Sequence, residues 1–173
     1  MSTPEQRRFD KTLAFVQKHL PKKSQILDLG TANTLSSLLA QEGYQVNNTK
    51  GENLDTDFQN YLDSTADCVT AFEIFEHMLA PFNILSQLKT PKLIASVPLK
   101  LWFASAYWNE QDEWDKHYHE FEQKQFDYLL KHTGWEIKDR VCWASPDYGK
   151  IGIRPLLRYI TPRYYMVYCE RAS

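Results

Sequence analysis

Apolar positions along the chain follow two spacings, one typical of helices and the other of strands. Helical spacing occurs in four segments. Three of them are 4–20, 81–88 and 121–132, and the fourth contains Leu35, Leu38 and Leu39 and ends before Gly43. Short apolar or alternating runs predict strands at 25–30, 44–48, 66–72, 92–97, 136–143 and 164–170. Because strands and helices alternate over most of the chain, the pattern predicts a parallel sheet with both faces covered by helices.

The last two predicted strands are joined by a region with little helical pattern, so they are expected to pair antiparallel at one edge of the sheet. The expected fold class is therefore α/β, a three-layer, doubly wound and mostly parallel sheet with an antiparallel edge strand. A length of 173 residues fits one domain of this kind over 1–173.

Composition and charge exclude several function classes. The 20 basic residues nearly balance 22 acidic ones, which argues against a surface built for nucleic acid. No segment approaches the roughly 18 apolar residues that span a bilayer, and the first ten residues are polar, so we expect a cytoplasmic protein without membrane contact. The three cysteines, Cys68, Cys142 and Cys169, lie far apart within apolar stretches and are expected to be buried, reduced thiols.

The turn after the first predicted strand is the first candidate site. In open α/β sheets, ligands bind beyond the carboxyl ends of the strands, and here that end reads Asp28-Leu29-Gly30-Thr31. Gly30 permits a tight turn, and the free amides at the start of the following helix favour a nearby carboxylate or other anionic group. Taken alone, one glycine in a turn is equally consistent with a plain connection.

Further segments make this turn part of a larger pattern. The run 26–30 (Ile-Leu-Asp-Leu-Gly) resembles the opening motif of class I S-adenosylmethionine-dependent methyltransferases. The segment 67–77 resembles the fourth strand and the Glu-His signature of the family's small-molecule branch. Later parts of the family pattern are matched in order by 81–88, 92–98 and 119–137. The resemblance covers roughly 24–140, about two thirds of the chain.

The resemblance implies S-adenosylmethionine as cofactor and methyl transfer to an oxygen, nitrogen or carbon atom of a small molecule. It divides the chain into an N-terminal helix over 4–20, a cofactor half over 24–97 and a substrate-side half over 98–173. The implied cofactor-binding residues are Asp28, Gly30, Thr31, Asn48, Asp55, Phe72 and Glu73. Asp28 and Gly30 would lie near the methionine part, Phe72 and Glu73 near the sulfonium and the amino group.

The chain departs from the family pattern at three points. Ala32 and Thr34 occupy the places of two further glycines. The second strand lacks the usual terminal acid, so Asn48 or Glu52 is expected to reach the ribose instead. Few residues remain for a third strand, which is expected as a stub at 53–55, with Asp55 near the adenine amino group. These departures leave open the alternative that the chain is a catalytically inactive domain of the same fold that acts as a binding module. The missing glycines also argue against a third alternative, a nicotinamide-dependent oxidoreductase.

A loop over 98–120 carries an unusual number of large aromatic residues. Trp102, Tyr107 and Trp108 are predicted to form a substrate wall or lid, with packing on the sheet edge and a dimer interface as alternatives. The candidate proton acceptors are His77, His117 and His119, since imidazole titrates near neutral pH, although His77 serves a structural hydrogen bond equally well.

No metal ion is predicted from the histidines of this loop. His117 and His119 would share a face of a strand and could join a carboxylate, but no further ligand follows at a recognisable spacing.

The C-terminal part is locally basic. Its basic residues are Arg140, Lys150, Arg154, Arg158, Arg163 and Arg171. They could contact an anionic substrate or nucleic acid, or form an ordinary solvated face; nucleic acid is not expected. The expected partners are a small-molecule methyl acceptor and, as an open alternative, a second copy of the chain.

Overall fold

A computed structural model describes residues 3–146, 148–150 and 152–172. Six strands in this part of the chain form one sheet, in the order β2-β1-β3-β4-β6-β5. The strands are β1 Gln25–Asp28, β2 Gln45–Asn48, β3 Cys68–Phe72, β4 Lys92–Pro98, β5 Trp135–Ala144 and β6 Pro162–Arg171. The first four in chain order pair in parallel, and β6 is antiparallel to both β4 and β5. The predicted α/β sheet with an antiparallel pair at one edge is confirmed.

Helices connect and cover the strands. They are α1 Pro4–His19, α2 Thr34–Gln41, α3 Pro81–Gln87, α4 Gln123–His132 and α5 Ile153–Ile160, and 3₁₀ turns lie at Gln59–Tyr61 and Phe75–His77. α1 begins at Pro4, a residue suited to a first helical position, and the Thr3 hydroxyl accepts a hydrogen bond from the Gln6 amide. No helix in the described residues has the length and apolar content needed to cross a bilayer.

The two faces of the sheet are buried against different helices. Because neighbouring strand residues point to opposite faces, Ile26 and Leu27 of β1 enter separate core clusters. The cluster around Leu27 includes Phe126 of α4, and the cluster around Ile26 includes Val16 of α1 and Leu39 of α2. The sheet is therefore the middle layer of three.

The structure corrects the predicted strand at 53–55. These residues form a turn in which the Asn53 side chain accepts a hydrogen bond from the Asp55 amide, and the Asn53 carbonyl accepts from the Asp57 amide. An asparagine that bonds to the backbone two residues on favours a turn over a strand. β2 is consequently the edge strand of the sheet.

Two further expectations about the second half are wrong. The segment between β5 and β6 contains helix α5, so the expectation of little helical pattern there is wrong: Ile153, Leu156, Leu157 and Ile160 recur at helical spacing, although Ile153 and Ile160 are 80% and 75% exposed. Cys68 and Cys169 are buried as expected, but Cys142 is exposed because it occupies an outward position of the edge strand β5.

Three of the C-terminal arginines are engaged within the fold. The Arg140 guanidinium donates to Asp127, and that of Arg163 donates to the Leu99 carbonyl. The Arg171 guanidinium donates to the carbonyls of Thr133, Leu85 and Ser86 and lies 4.7 Å from the centre of the Trp135 ring. These residues therefore hold elements together, and Arg171 joins β6 to α3 and to the end of α4.

Arg171→Ala is expected to lower the free energy of unfolding by about 2 to 3 kcal/mol, because it leaves several carbonyls without their charged donor. The matched control is Arg140→Ala, which removes a half-exposed ion pair and should cost less than about 1 kcal/mol. Chemical denaturation of both variants measures the difference. Equal losses would contradict the joining role of Arg171.

Candidate functional site

The carboxyl ends of β1, β3 and β4 open into a cavity of about 250 Å³. Asp28, Phe72 and Ser96 line it from the strand ends, and Glu73 lines it from the position directly after β3. Helix α1 covers the cavity, with Arg8 among its lining residues. Three of the seven predicted cofactor-binding residues, Asp28, Phe72 and Glu73, are therefore brought together at one cavity.

Asp28 is a buried carboxyl held by two side chains. The Thr70 hydroxyl donates to its Oδ1 at 2.6 Å, and the Asn48 amide nitrogen donates to its Oδ2 at 2.9 Å. Burial raises the pKa of Asp28 to about 6, because the loss of hydration outweighs these two hydrogen bonds. Near pH 7 the site therefore keeps a carboxylate in an environment that disfavours its charge.

Glu73 brings a second carboxylate to the cavity in an unusual backbone conformation. Its φ is 57°, a left-handed value that few non-glycine residues adopt. The Ser96 hydroxyl donates to Oε1 at 2.8 Å, and an Arg8 guanidinium nitrogen lies 3.9 Å from Oε2. Burial raises the pKa of Glu73, while Ser96 and the charges of Arg8 and Arg163 oppose the rise. Strain at a position that presents a buried charge to a cavity is typical of functional sites.

The turn after β1 leaves little space for a side chain at Gly30. Its φ of 130° favours glycine, and a Cβ there would lie 3.1 Å from Cδ1 of Ile74. At the following helix, the Asn33 side chain accepts hydrogen bonds from the amides of Leu35 and Ser36. The expectation that these amides are free for an anionic ligand is therefore corrected, because an N-cap residue satisfies them.

The other predicted cofactor-binding residues do not line this cavity. The Asn48 amide nitrogen donates to Asp28 and to the Gly30 carbonyl, and Thr31 is exposed on the turn. The Asp55 carboxylate accepts from the amides of Leu79 and Ala80, just before α3.

Glu52, the other candidate for the ribose, accepts hydrogen bonds from the Tyr61 hydroxyl and the Lys50 amide. Its carboxylate is thus engaged within its own loop. Asn48 remains beside the turn, at the carboxyl end of β2.

A second cleft of about 220 Å³ adjoins the first and shares Arg8 and Glu73 with it. The elements that meet here come from both halves of the chain. Its lining residues also include Glu76 and His77 from the turn after β3, and Tyr107 and His117 from the aromatic loop. His77 and His117, two of the predicted catalytic histidines, therefore line a cleft that adjoins the predicted cofactor cavity.

The histidine rings in this cleft are fixed by their Nδ1 atoms. His77 Nδ1 lies 3.1 Å from the Lys116 carbonyl oxygen, and His117 Nδ1 lies 3.1 Å from Glu120 Oε1. Both partners are acceptors, so each Nδ1 carries a proton and each neutral ring keeps a lone pair on Nε2. Burial lowers the pKa of His117, which favours this neutral form.

Glu76 is a functional candidate that sequence reasoning missed. Its side chain is 1% exposed, and its Oε2 is buried without a hydrogen-bond partner among the described residues. Burial and the charge of Glu73 raise the pKa of Glu76 well above its ordinary value. The available signal was the Glu-His pair within 67–77, of which only His77 entered the predicted site.

The remaining loop residues lie away from both cavities. His119 Nε2 lies 3.3 Å from the Leu79 carbonyl, and its ring stacks on Phe121. Trp102 is 71% exposed, and Trp108 is half exposed and packs edge-on against Tyr118. Of the three residues predicted as a substrate wall, only Tyr107 lines the cleft.

Solved structures share this architecture over nearly the whole chain. A methyltransferase from Methanosarcina mazei, described as S-adenosylmethionine-dependent, superimposes with a TM-score of 0.64 at 13% identity, covering 91% of this chain and 97% of the other. The chain has the fold of class I S-adenosylmethionine-dependent methyltransferases. The predicted family resemblance is thus confirmed at the level of the fold, whereas no family model and no curated sequence matches the chain.

Other structures of the methyltransferase fold show what it supports elsewhere. The magnesium protoporphyrin IX methyltransferase of Synechocystis, with SAH bound, matches with a TM-score of 0.63 at 16% identity, covering 98% of this chain and 84% of its own. The [4+2]-cyclase SpnF matches with a TM-score of 0.65 at 13% identity, covering 96% and 83%. Because one fold carries different reactions, the function of this chain must be argued from its own site.

Proposed function

We propose that this protein binds S-adenosylmethionine and transfers its methyl group to an oxygen, nitrogen or carbon atom of a small molecule. The observation that carries the proposal is the pair of carboxylates, Asp28 and Glu73, at one cavity beyond the parallel strand ends. Two buried acids facing a cavity are costly for stability, and a cationic ligand offsets that cost.

The methionine end of the cofactor fits the chemistry of this cavity. Its ammonium and sulfonium groups are positively charged, and carboxylates and aromatic faces attract such groups. Asp28 and Glu73 supply the carboxylates, Phe72 supplies the ring, and Arg8 offers a partner for the carboxylate of the ligand. The adenosine end would follow Gly30 and Thr31 toward Asn48 and Asp55.

The acceptor would occupy the second cleft, beside Glu73. When bound, S-adenosylmethionine supplies a methyl group on a positively charged sulfur atom. The protein's part is to hold the acceptor atom in line with that methyl group and to exclude water. His77 and His117 present Nε2 lone pairs to the cleft and could accept a proton from the acceptor, with His119 as a more distant candidate. Tyr107 would form one wall, and Trp102 and Trp108, which lie outside the cleft, would have to move toward it to act as a lid.

Calorimetric titration with S-adenosylmethionine, its demethylated product and NAD tests the proposal. We expect micromolar binding of the first two, and no binding of NAD because the turn lacks the glycines of a dinucleotide site. Binding of none of the three would contradict the enzyme proposal. That result would favour a second candidate, a non-catalytic binding module of the same fold, which the Asn33 cap and the engaged Asn48 amide also support.

A further inference from the structure

We propose that Glu76, His77 and His117 form a binding site for a divalent transition-metal ion of the Zn²⁺ class. Each residue offers one ligand atom, and these atoms all lie within 4.8 Å of one another. An ion at the centre of a triangle with such sides lies about 2.8 Å from each corner, so bonds of about 2.1 Å require each ligand to move inward by only about 0.7 Å.

The histidines are oriented as metal ligands usually are. A ligating histidine typically donates its second ring N–H to a carbonyl or a carboxylate, which fixes the ring and its tautomer. His77 donates to the Lys116 carbonyl and His117 to Glu120, so both rings have an outer partner of the usual kind. The Nε2 atom of each ring is left to bind the ion, and an ion bound there would occupy the lone pairs that the empty site offers as proton acceptors.

The Glu76 carboxylate gives an independent indication of a binding site for a cation. Its Oε2 is buried and has no hydrogen-bond partner in the part of the chain that the structure describes, although a buried polar atom normally has at least one. The side chain is almost wholly inaccessible to solvent, and its Oε1 lies 3.7 Å from His77 Nε2. A cation bound by this carboxylate would offset the cost of burying its charge.

The backbone holds the ligands in place before any ion arrives. Glu76 and His77 belong to the 3₁₀ turn after β3, whereas His117 comes from the aromatic loop. The Glu76 carbonyl accepts hydrogen bonds from the amides of Tyr118 and His119, which fasten that loop to the turn. A site assembled from two fastened segments loses little entropy on binding.

The ligand set and its surroundings indicate the class of ion. Two imidazoles and one carboxylate suit Zn²⁺ and similar transition metals, whereas Mg²⁺ and Ca²⁺ prefer oxygen ligands. The ligands face the second cleft, which has room for a water molecule or a substrate oxygen to complete the coordination. Arg8 and Arg163 also line that cleft and oppose a cation, while Glu73 favours it. We therefore expect micromolar affinity.

The test is calorimetric titration of the full chain with Zn²⁺ after treatment with a chelator, supported by the visible absorption of bound Co²⁺. One ion per chain is expected, and His117→Gln and Glu76→Gln should each weaken binding by at least about 100-fold, since changes to outer partners alone cost 10- to 100-fold. The matched control is His132→Gln, which changes an exposed histidine of α4 that lines neither cleft, and its affinity should stay within about threefold of the parent.

Absence of Zn²⁺ binding by the parent protein would overturn the proposal. Equal affinity in all variants would also overturn it, because the ion would then sit at an unrelated surface site. If Glu76→Gln fails to fold, His77→Gln and His117→Gln decide the question. The readout is the metal itself, so the result does not depend on whether S-adenosylmethionine binds.

Discussion

Glu73→Gln is expected to weaken the binding of S-adenosylmethionine by about 100-fold or more, equivalent to about 3 kcal/mol. The change removes a carboxylate that lines the cavity and that would face the positive groups of the ligand. Gln keeps the shape of the side chain and can still accept the hydrogen bond from Ser96. The fold should therefore persist, and calorimetric titration measures the affinity of the variant directly.

Glu5→Gln is the matched control for this result. Glu5 lines the same cavity from α1, but it is exposed, so solvent screens its charge. Its replacement should change affinity by less than about threefold. If Glu5→Gln and Glu73→Gln weakened binding equally, the affinity would depend only on the total charge around the cavity. The proposed contact between the ligand and Glu73 would then be wrong.

Asp28→Asn is expected to change how stability depends on pH. The pKa of Asp28 is about 6 in the folded protein, whereas an unperturbed aspartate carboxyl has a pKa of 3.8, so between these values the native state holds a proton that the unfolded state has lost. In the parent, this group's contribution to stability is fully present below pH 3.8 and is lost as pH rises through 6. The loss amounts to about 3 kcal/mol.

The variant lacks this titration. Asn can accept from the Asn48 amide through its oxygen and donate to the Thr70 hydroxyl, so the local packing should hold. Chemical denaturation at pH 4 and pH 7.5 measures the free energy of unfolding of both proteins. Between these two pH values, the free energy of unfolding of Asp28→Asn should rise by about 2 to 3 kcal/mol relative to that of the parent. Asp63→Asn, a change at an exposed acid, provides the baseline. A pH-independent difference would show that Asp28 titrates alike in both states.

The sheet was predictable because the sequences of its central strands are mainly apolar. β1, β3 and β4 are buried on both faces, so their sequences are mainly apolar, with Thr70 and Ser96 as buried polar exceptions within β3 and β4. Helix α5 was also predictable, because Ile153, Leu156 and Ile160 recur at helical spacing, but that spacing does not reveal that Ile153 and Ile160 face solvent. The predicted strand at 53–55 failed because local hydrogen bonds of Asn53 favour a turn, and spacing does not reveal such bonds.

The candidate site likewise has one part that the sequence predicts and one part that it does not. Asp28 is the last residue of β1, and Glu73 directly follows β3. Parallel strands bring their carboxyl ends to one edge of the sheet, so the meeting of these two carboxylates could be predicted. The convergence of Glu76, His77 and His117 could not. His117 and His119 were expected to share a face of a strand, whereas in the loop one bonds to Glu120 and the other to Leu79. The path of a long loop depends on contacts with distant residues, which spacing along the chain does not encode.

The short edge strand β2 affects how copies of this protein can meet. An unpaired strand edge is a template for adding a strand from another molecule, but β2 has only four residues and offers few free backbone groups. At the opposite edge, the outward positions of β5 include Glu136, Lys138 and Arg140, whose charges discourage a second sheet from docking alongside. Any self-association of this chain is therefore expected to proceed through side-chain packing rather than through strand pairing.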